Sequence, residues 1–217
     1  MQHGRRPALA PTEPLRDCGV IRSMLRDAAQ SIAQPTSEVA RLRARLAQAD
    51  VRIAELERLA DTDPLTGLCN RRPFLRSVAR AVRHLERHGT PAAVLFADVD
   101  GLKAVNDRHG HAGGDAALMH IARLLQRDVR GSDLVARIGG DEFGLVLDHA
   151  TEAAARAKCT ALVQAVRDAP ANFGGVSVDI RLSIGVAAIR VEDTADTLLS
   201  RADADMYAAK RAQRSDR

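Results

Sequence analysis

Between residues 39 and 60 the apolar positions fall at Val39, Leu42, Leu46, Ala49, Ile53, Leu56 and Ala60, in alternating steps of three and four. This is a heptad seam, which keeps one narrow stripe on one side of a helix while charged residues take the remaining surface. The seam suits a short two-stranded coiled coil. The same stripe would also serve a single amphipathic helix lying on its own domain, but its narrowness and the charge on the other faces favour the coiled coil. Upstream, Val20 to Ile32 has the period of another short amphipathic helix, closed off by Pro35.

Beyond Ala60 the pattern changes to alternating helices and strands. "NRRPFLRSVARAVRHLERHG" predicts a helix capped by Asn70, with Pro73 in its first turn, Phe74, Val78, Val82 and Leu85 on one face, and Gly89 at its end. "AAVLFADVD" reads as a strand. "GDAALMHIARLLQRDVR" is helical, burying Leu118, Ile121 and Leu125. Further on, "EAAARAKCTALVQAVRDA" is a helix, "VSVDIRLSIGVAAI" supplies one or two strands, and "DTLLSRADADMYAAKRAQR" closes the chain with a helix. The order predicts an α+β domain, with helices around a central, mainly antiparallel sheet.

In the middle stands "RIGGDEFGLVL", Arg137 to Leu147. Two glycines between the apolar stretches 134–138 and 143–147 predict a two-residue hairpin turn with positive φ. The hairpin does not account for Asp141 and Glu142. Acids are poor strand formers, and two in succession repel unless a cation or a proton intervenes. The turn therefore reads as a mount for charge.

Composition narrows the classes. A chain of 217 residues with 46% hydrophobic content can build one ordinary domain plus an appendage, so it is not a disordered tail. A net charge of +4 comes with mixed signs and 2% aromatics. With neither a basic run nor a stacking platform, a nucleic-acid binder is weakly supported, and the same balance serves a polyphosphate ligand. Cys18, Cys69 and Cys159 are odd in number and widely spaced, which fits reduced thiols in a cytoplasmic protein. The first residues lack a signal-peptide core and no apolar run is of bilayer length, so no membrane anchor is expected.

Asp98 and Asp100 are two apart in a strand, so both leave the same face at the end where "GLKAVND" follows. Facing a hairpin with Asp141 and Glu142, they make an oxygen-rich site suited to Mg²⁺, which prefers a few carboxylates, water and substrate phosphates. Taken singly, each acid would only end a strand; together their spacing points to the metal.

The four segments "DPLTGLCNRR", "FADVDGLKAVNDRHGHAGGD", "RIGGDEF" and "RADADMYAAKRAQR" stand in this order. They resemble the signature blocks of the GGDEF family, the diguanylate cyclases, over 61–217. The resemblance implies a nucleotidyl-cyclase, palm-like fold behind a helical segment, 1–60, that dimerises or signals through its seam at 39–60. It also implies an enzyme that condenses two GTP into cyclic di-GMP and releases two pyrophosphates. Asp98, the carbonyl of Val99 and Asp141 would hold Mg²⁺ or Mn²⁺, two ions per site, and Glu142 would assist catalysis. Asn106 and Asp115 would read guanine, while Lys103, Lys210 and Arg214 would contact phosphates. "RGSD", Arg130 to Asp133, matches the family's RxxD inhibitory site and implies that cyclic di-GMP binds there as a feedback inhibitor. Each residue keeps a structural alternative: Asp115 as a cap, Asn106 in a turn, Lys210 and Arg214 on a solvated helix face, Arg130 and Asp133 at a helix end and a turn. The chain is expected to act as a homodimer with GTP as substrate, without nucleic acid or membrane. The alternative function is a catalytically silent module that senses GTP or cyclic di-GMP, and the intact acids of the hairpin speak against it.

Overall fold

The computed structural model describes residues 18–215. Contacts divide it into a unit ending at Leu56 and a unit from Glu57 onward. The first consists of helix α1 (Cys18–Asp61), whose last turn passes into the second. α1 is continuous through Pro35, so the two helices expected here are one. A proline removes one backbone bond and crowds the carbonyl four residues back, which bends a helix without having to end it. Along α1 the seam residues Val39, Leu42, Leu46 and Ile53 are exposed.

The second unit contains α2 (Arg71–His88), β1 (Ala93–Asp100), α3 (Leu102–Arg127), β2 (Leu134–Arg137), β3 (Glu142–Leu147), α4 (Glu152–Asp168), β4 (Ala171–Phe173), β5 (Val176–Val178), β6 (Arg181–Ala188) and α5 (Ala195–Ser215). Four strands form one sheet in the order β2-β3-β1-β6, and every neighbouring pair is antiparallel. The α+β architecture with a mainly antiparallel sheet therefore stands as expected. β4 and β5 make a separate two-stranded ribbon. Its first strand has no counterpart in the sequence reading, because three residues are too few to show alternation.

The sheet separates two cores. On one face Leu95, Ala97 and Val99 of β1 pack with Leu118, Ile121 and Leu125 of α3 and Leu162 and Val166 of α4. On the other, Val94 and Phe96 pack with Phe74 and Val78 of α2 and Leu198, Ala202 and Met206 of α5. Local chemistry agrees with this packing. The Asn70 side chain accepts a hydrogen bond from the Arg72 N–H to start α2, and Gly89, in the left-handed region, ends it. The Thr151 hydroxyl accepts from Ala154 to start α4.

One contact sets the depth of α5. A Cβ on Gly185 of β6 would lie 1.9 Å from the Ala202 carbonyl oxygen and 2.4 Å from the Met206 nitrogen, so the helix rests on a bare stretch of strand. Cys69 and Cys159 are unpaired thiols. Among the described residues no helix is long and apolar enough to cross a membrane.

Candidate active site

Side-chain alternation along β1 decides where its acids stand. Val94 and Phe96 face the α2/α5 core, so Asp98 and Asp100 follow them on that side, at the end of the strand. Glu142, the first residue of β3, is the direct cross-strand partner of Asp98. Like charges placed so repel. α5 supplies the compensating charge: the Lys210 ammonium hydrogen-bonds to Asp98 and lies 3.1 Å from Asp100, which also accepts from the Ser183 hydroxyl at 2.7 Å. Burial works against the Lys210 charge, but the hydrogen bonds to Asp98 and Asp100 outweigh it and hold its pKa above the usual lysine value.

Glu142 has less relief, only the pull of the Arg71 charge. Burial first, then the neighbouring Asp141 and Asp98, push its carboxyl above the usual glutamate range. For an acid whose folded pKa is raised, the folded state binds the proton more tightly than the unfolded one. The charge therefore costs stability above the raised pKa, and the cost vanishes below the ordinary one. Glu142→Gln is expected to raise the melting temperature at neutral pH by about 1–3 °C, and to lose that gain in acid. Thermal melts of the two proteins across pH check this; equal melting points at neutral pH would remove the strain assigned to Glu142.

The loop between β2 and β3 carries Asp141. It is not the two-residue turn the glycines suggest. Ile138 and Gly139 both donate to the Glu142 carbonyl, at 2.9 and 3.3 Å. Positive φ among the described glycines occurs at 67, 89, 101, 110, 174 and 175, not at 139 or 140. Gly139 allows closeness instead: a Cβ there would meet the Glu142 carboxylate at 2.2 Å and push it aside, whereas Gly140 faces open space. The loop is tied on both sides. Val99 donates its N–H to the Asp141 carbonyl at 3.1 Å, and the Arg137 guanidinium donates to the Gly140 carbonyl at 2.7 and 3.2 Å. Arg137 is held in turn by Asp63 at 3.3 Å, and Asp63 accepts from both the N–H and the hydroxyl of Thr66. Arg137 and Asp63 are positioning residues that sequence reasoning missed; the Asp-x-x-Thr spacing in "DPLTGL" was the available signal.

Two clefts flank the loop and share Leu102 and Asp141. The larger, about 890 Å³, takes in Asp98, Val99, Lys103 and Lys210, together with Arg108 and Arg181. Neither arginine was singled out from the sequence, since nothing local distinguishes them from other surface cations. The smaller, about 330 Å³, is lined by Asn106 and Asp115 with His111 and Arg137.

The meeting of Asn106 and Asp115 has a local cause. Nine residues apart on an unbroken helix, they would stand on opposite sides about 13 Å apart along the axis. Gly110, at φ 71° and ψ 174°, breaks α3 and turns its second half back. Gly114 completes the approach, because a Cβ there would overlap the Asn106 side-chain oxygen at 1.9 Å. Asn106 therefore lies in a helix rather than a turn, and Asp115 lies beyond the break, inside helix rather than at its cap.

The remaining candidates stand apart. The backbone of Arg214 belongs to α5, but its side chain lies outside the described residues. Arg130 and Asp133 line neither cleft. They close a turn of their own: Asp133 accepts from the Arg130 N–H at 3.0 Å and from the Asp148 N–H at 3.1 Å, and its own N–H donates back to the Arg130 carbonyl at 3.0 Å. Arg130 is exposed.

This arrangement matches known proteins. Residues 60–216 match the model of the family described as "Diguanylate cyclase, GGDEF domain". The chain is 41% identical over 166 residues to diguanylate cyclase TpbB of Pseudomonas aeruginosa, an alignment covering 76% of this chain and 38% of that protein. It thus spans well under half the length of that curated relative. Among solved structures, the coiled coil and GGDEF domain of DgcB from Caulobacter crescentus, in complex with c-di-GMP, is 29% identical with a TM-score of 0.69, covering 85% of this chain and 95% of that one. Diguanylate cyclase SiaD, in complex with its activator SiaC from Pseudomonas aeruginosa, is 31% identical with a TM-score of 0.67 over 91% of this chain and 79% of that one. With the acids, the paired clefts and the hairpin loop all in place, the chain belongs to the GGDEF-domain family.

Proposed function

We propose that the chain is a diguanylate cyclase that joins two GTP into cyclic di-GMP and releases two pyrophosphates. One observation carries the reading: Asp98, Asp141, Glu142 and Lys210 converge at one sheet end, between a cleft lined by cations and a cleft lined by Asn106 and Asp115. An amide and a carboxylate are the acceptor and donor set a guanine edge requires, and the cationic cleft has the charge for a triphosphate. The names of the relatives point the same way.

Asp98, the Val99 carbonyl and Asp141 fit a hard divalent cation. Among the described residues no three carboxylate, imidazole or thiolate side chains converge on one point. Two carboxylates and a carbonyl leave the rest of the coordination sphere to water and phosphate, which suits Mg²⁺ or Mn²⁺, two ions per site. When bound, such ions polarise the α-phosphate and lower the pKa of a ribose 3′-hydroxyl. The protein's share is positional. Asn106 and Asp115 hold guanine, Lys103 and Lys210 line up the phosphates, and Glu142 stands next to Asp98 to take the hydroxyl proton. The 3′-oxygen then bonds to the α-phosphorus of the other GTP, and the bond to the β-phosphate breaks as pyrophosphate leaves. With a cation held by Asp98 and Asp141, Lys210 would be freed from its carboxylate partners to contact phosphate. Two such half-sites on two chains close the ring, so the working form is a homodimer, placed in the cytoplasm with its GTP.

Incubation of purified protein with GTP and Mg²⁺ tests the reading through the appearance of cyclic di-GMP. GTP bound without turnover would instead make the chain a silent sensor module.

Feedback through Arg130 and Asp133 is the finer part of the proposal. An exposed guanidinium beside an anchored carboxylate suits guanine and phosphate edges. Arg130→Ala keeps the turn, whose bonds run through backbone groups and Asp133. The variant is expected to retain its initial rate while losing the slowing that follows product build-up. Equal sensitivity of both proteins to added cyclic di-GMP would reduce "RGSD" to a helix end and a turn.

A further inference from the structure

Two arginines border the larger cleft without a part in the chemistry described so far. Arg181 opens β6 and is the direct cross-strand partner of Asp100, so the two side chains leave the same face of the sheet. Ser183, two residues further on, shares that face, and α5 with Lys210 covers it. Arg181 nevertheless makes no ion pair with Asp100, which is taken by the Ser183 hydroxyl and the Lys210 ammonium.

Arg108 comes from a different wall. In the first half of α3, Leu102 and Asn106 are four apart and border the smaller cleft. Ala104 and Arg108, four apart on another side of the same helix, border the larger one. This half-helix therefore stands between the two clefts, ahead of the break at Gly110. Lys103, Arg108 and Arg181 are exposed, and among the described residues none of the three has a hydrogen bond or an ion pair. Three uncommitted cations thus face one cleft, against a single carboxylate, Asp179, outside the acids at the strand ends.

We propose that Arg108 and Arg181 hold the β- and γ-phosphates of GTP, and with them the pyrophosphate as it leaves. The placement follows from the order of groups along the nucleotide. Guanine in the smaller cleft and the α-phosphate at Asp98 and Asp141, beside the wall the clefts share, leave the larger cleft for the remaining phosphates. A guanidinium presents a planar fork that matches two phosphate oxygens, which a lysine ammonium does not. When the bond between the α-phosphorus and its bridging oxygen breaks, the electron pair stays with pyrophosphate. Two guanidinium groups waiting there offset the added negative charge. Neither arginine touches guanine, so their contribution grows with the number of phosphates on the ligand.

This inference takes its ligand from the cyclase reading, and the test separates the two. Calorimetry in Mg²⁺ compares GMP, GDP and a GTP analogue whose methylene bridge between the α- and β-phosphorus prevents release of pyrophosphate. The proteins are wild type, Arg108→Ala, Arg181→Ala and the double variant; both side chains are exposed, and thermal melts confirm that each variant is folded. Each single variant is expected to bind the analogue about tenfold more weakly, GDP less affected and GMP unchanged, with a larger loss in the double variant. Inorganic pyrophosphate competing with the analogue should weaken in parallel. Equal losses for all three nucleotides would make the arginines structural and overturn the proposal. So would variants that bind the analogue as wild type does, or a wild type that binds GMP as tightly as the analogue. Conversion of GTP by wild type is measured separately. A wild type that makes no cyclic di-GMP, with variants that show the graded loss, ends the cyclase reading and keeps the arginine pair; cyclic di-GMP formed without any graded loss ends the pair alone.

Discussion

Asp98→Asn and Asp141→Asn are each expected to lower turnover by about a thousandfold or more, equivalent to roughly 4 kcal/mol of lost transition-state stabilisation. On the proposed metal site, each substitution would remove an anionic ligand from a hard cation that has few protein ligands to spare. Neither should unfold the domain. Asp98 lies near the end of a strand held through its backbone by β3 and β6, and Asp141 contributes its carbonyl, not its carboxylate, to the bond with Val99. The two variants should differ in one respect. Both relieve repulsion on Glu142, but only Asp98→Asn also strips Lys210 of a hydrogen-bonded partner, so the melting point of Asp98→Asn should fall below that of Asp141→Asn. Product formation, Mn²⁺ binding and thermal melts on the same preparations provide the check. Near-normal turnover in both variants would remove the metal from this strand end.

Leu46→Glu combined with Ile53→Glu is expected to be as damaging by a different route. Both residues occupy a positions of the seam and both are exposed on α1, so the single chain tolerates them. In a pair of helices, four added carboxylates would meet along one seam, where they cannot be solvated. The variant should be monomeric at micromolar concentration. Its specific activity should become steeply dependent on enzyme concentration, because two half-sites joined by helices meet at an effective concentration that free chains do not reach. GTP affinity per chain should change little, since every residue proposed to contact GTP lies beyond Asp61. Activity measured against concentration, beside sedimentation of the same samples, separates these effects. A variant that remains dimeric and active would put dimerisation elsewhere.

What was legible in the sequence is what depends on short spacing. Asn70 and Gly89 bound α2 because capping is local chemistry. Asp98 and Asp100 share a face because a strand alternates, and Lys210 reaches them because α5 packs on that face. The less legible features depend on sequence-distant partners or on backbone shape. The ion pair of Arg137 with Asp63 spans 74 positions, so only a vague turn signal in "DPLTGL" hinted at it. The break at Gly110 hides in a segment whose composition suits either helix or turn, yet with the bare Gly114 it brings Asn106 and Asp115 to one cleft. Gly139 and Gly140 suggested positive φ; the structure uses the absence of a side chain at Gly139 to seat the Glu142 carboxylate. Pro35 suggested a stop that the helix does not make.

The bare contact at Gly185 bears on how the protein tolerates mutation. Position 185 is buried and uncharged, and it lies on the strand that α5 covers. Even alanine would force α5 outward, because the obstructing atoms belong to helix backbone that cannot rotate away. Lys210 sits one turn beyond Met206 on that helix, so the displacement is delivered to the ammonium that Asp98 and Asp100 hold. A screen of random variants scored by activity would therefore rank Gly185 beside the acids. A site usually defended at its polar rim is here equally exposed to drift from behind, through a residue with no functional group at all.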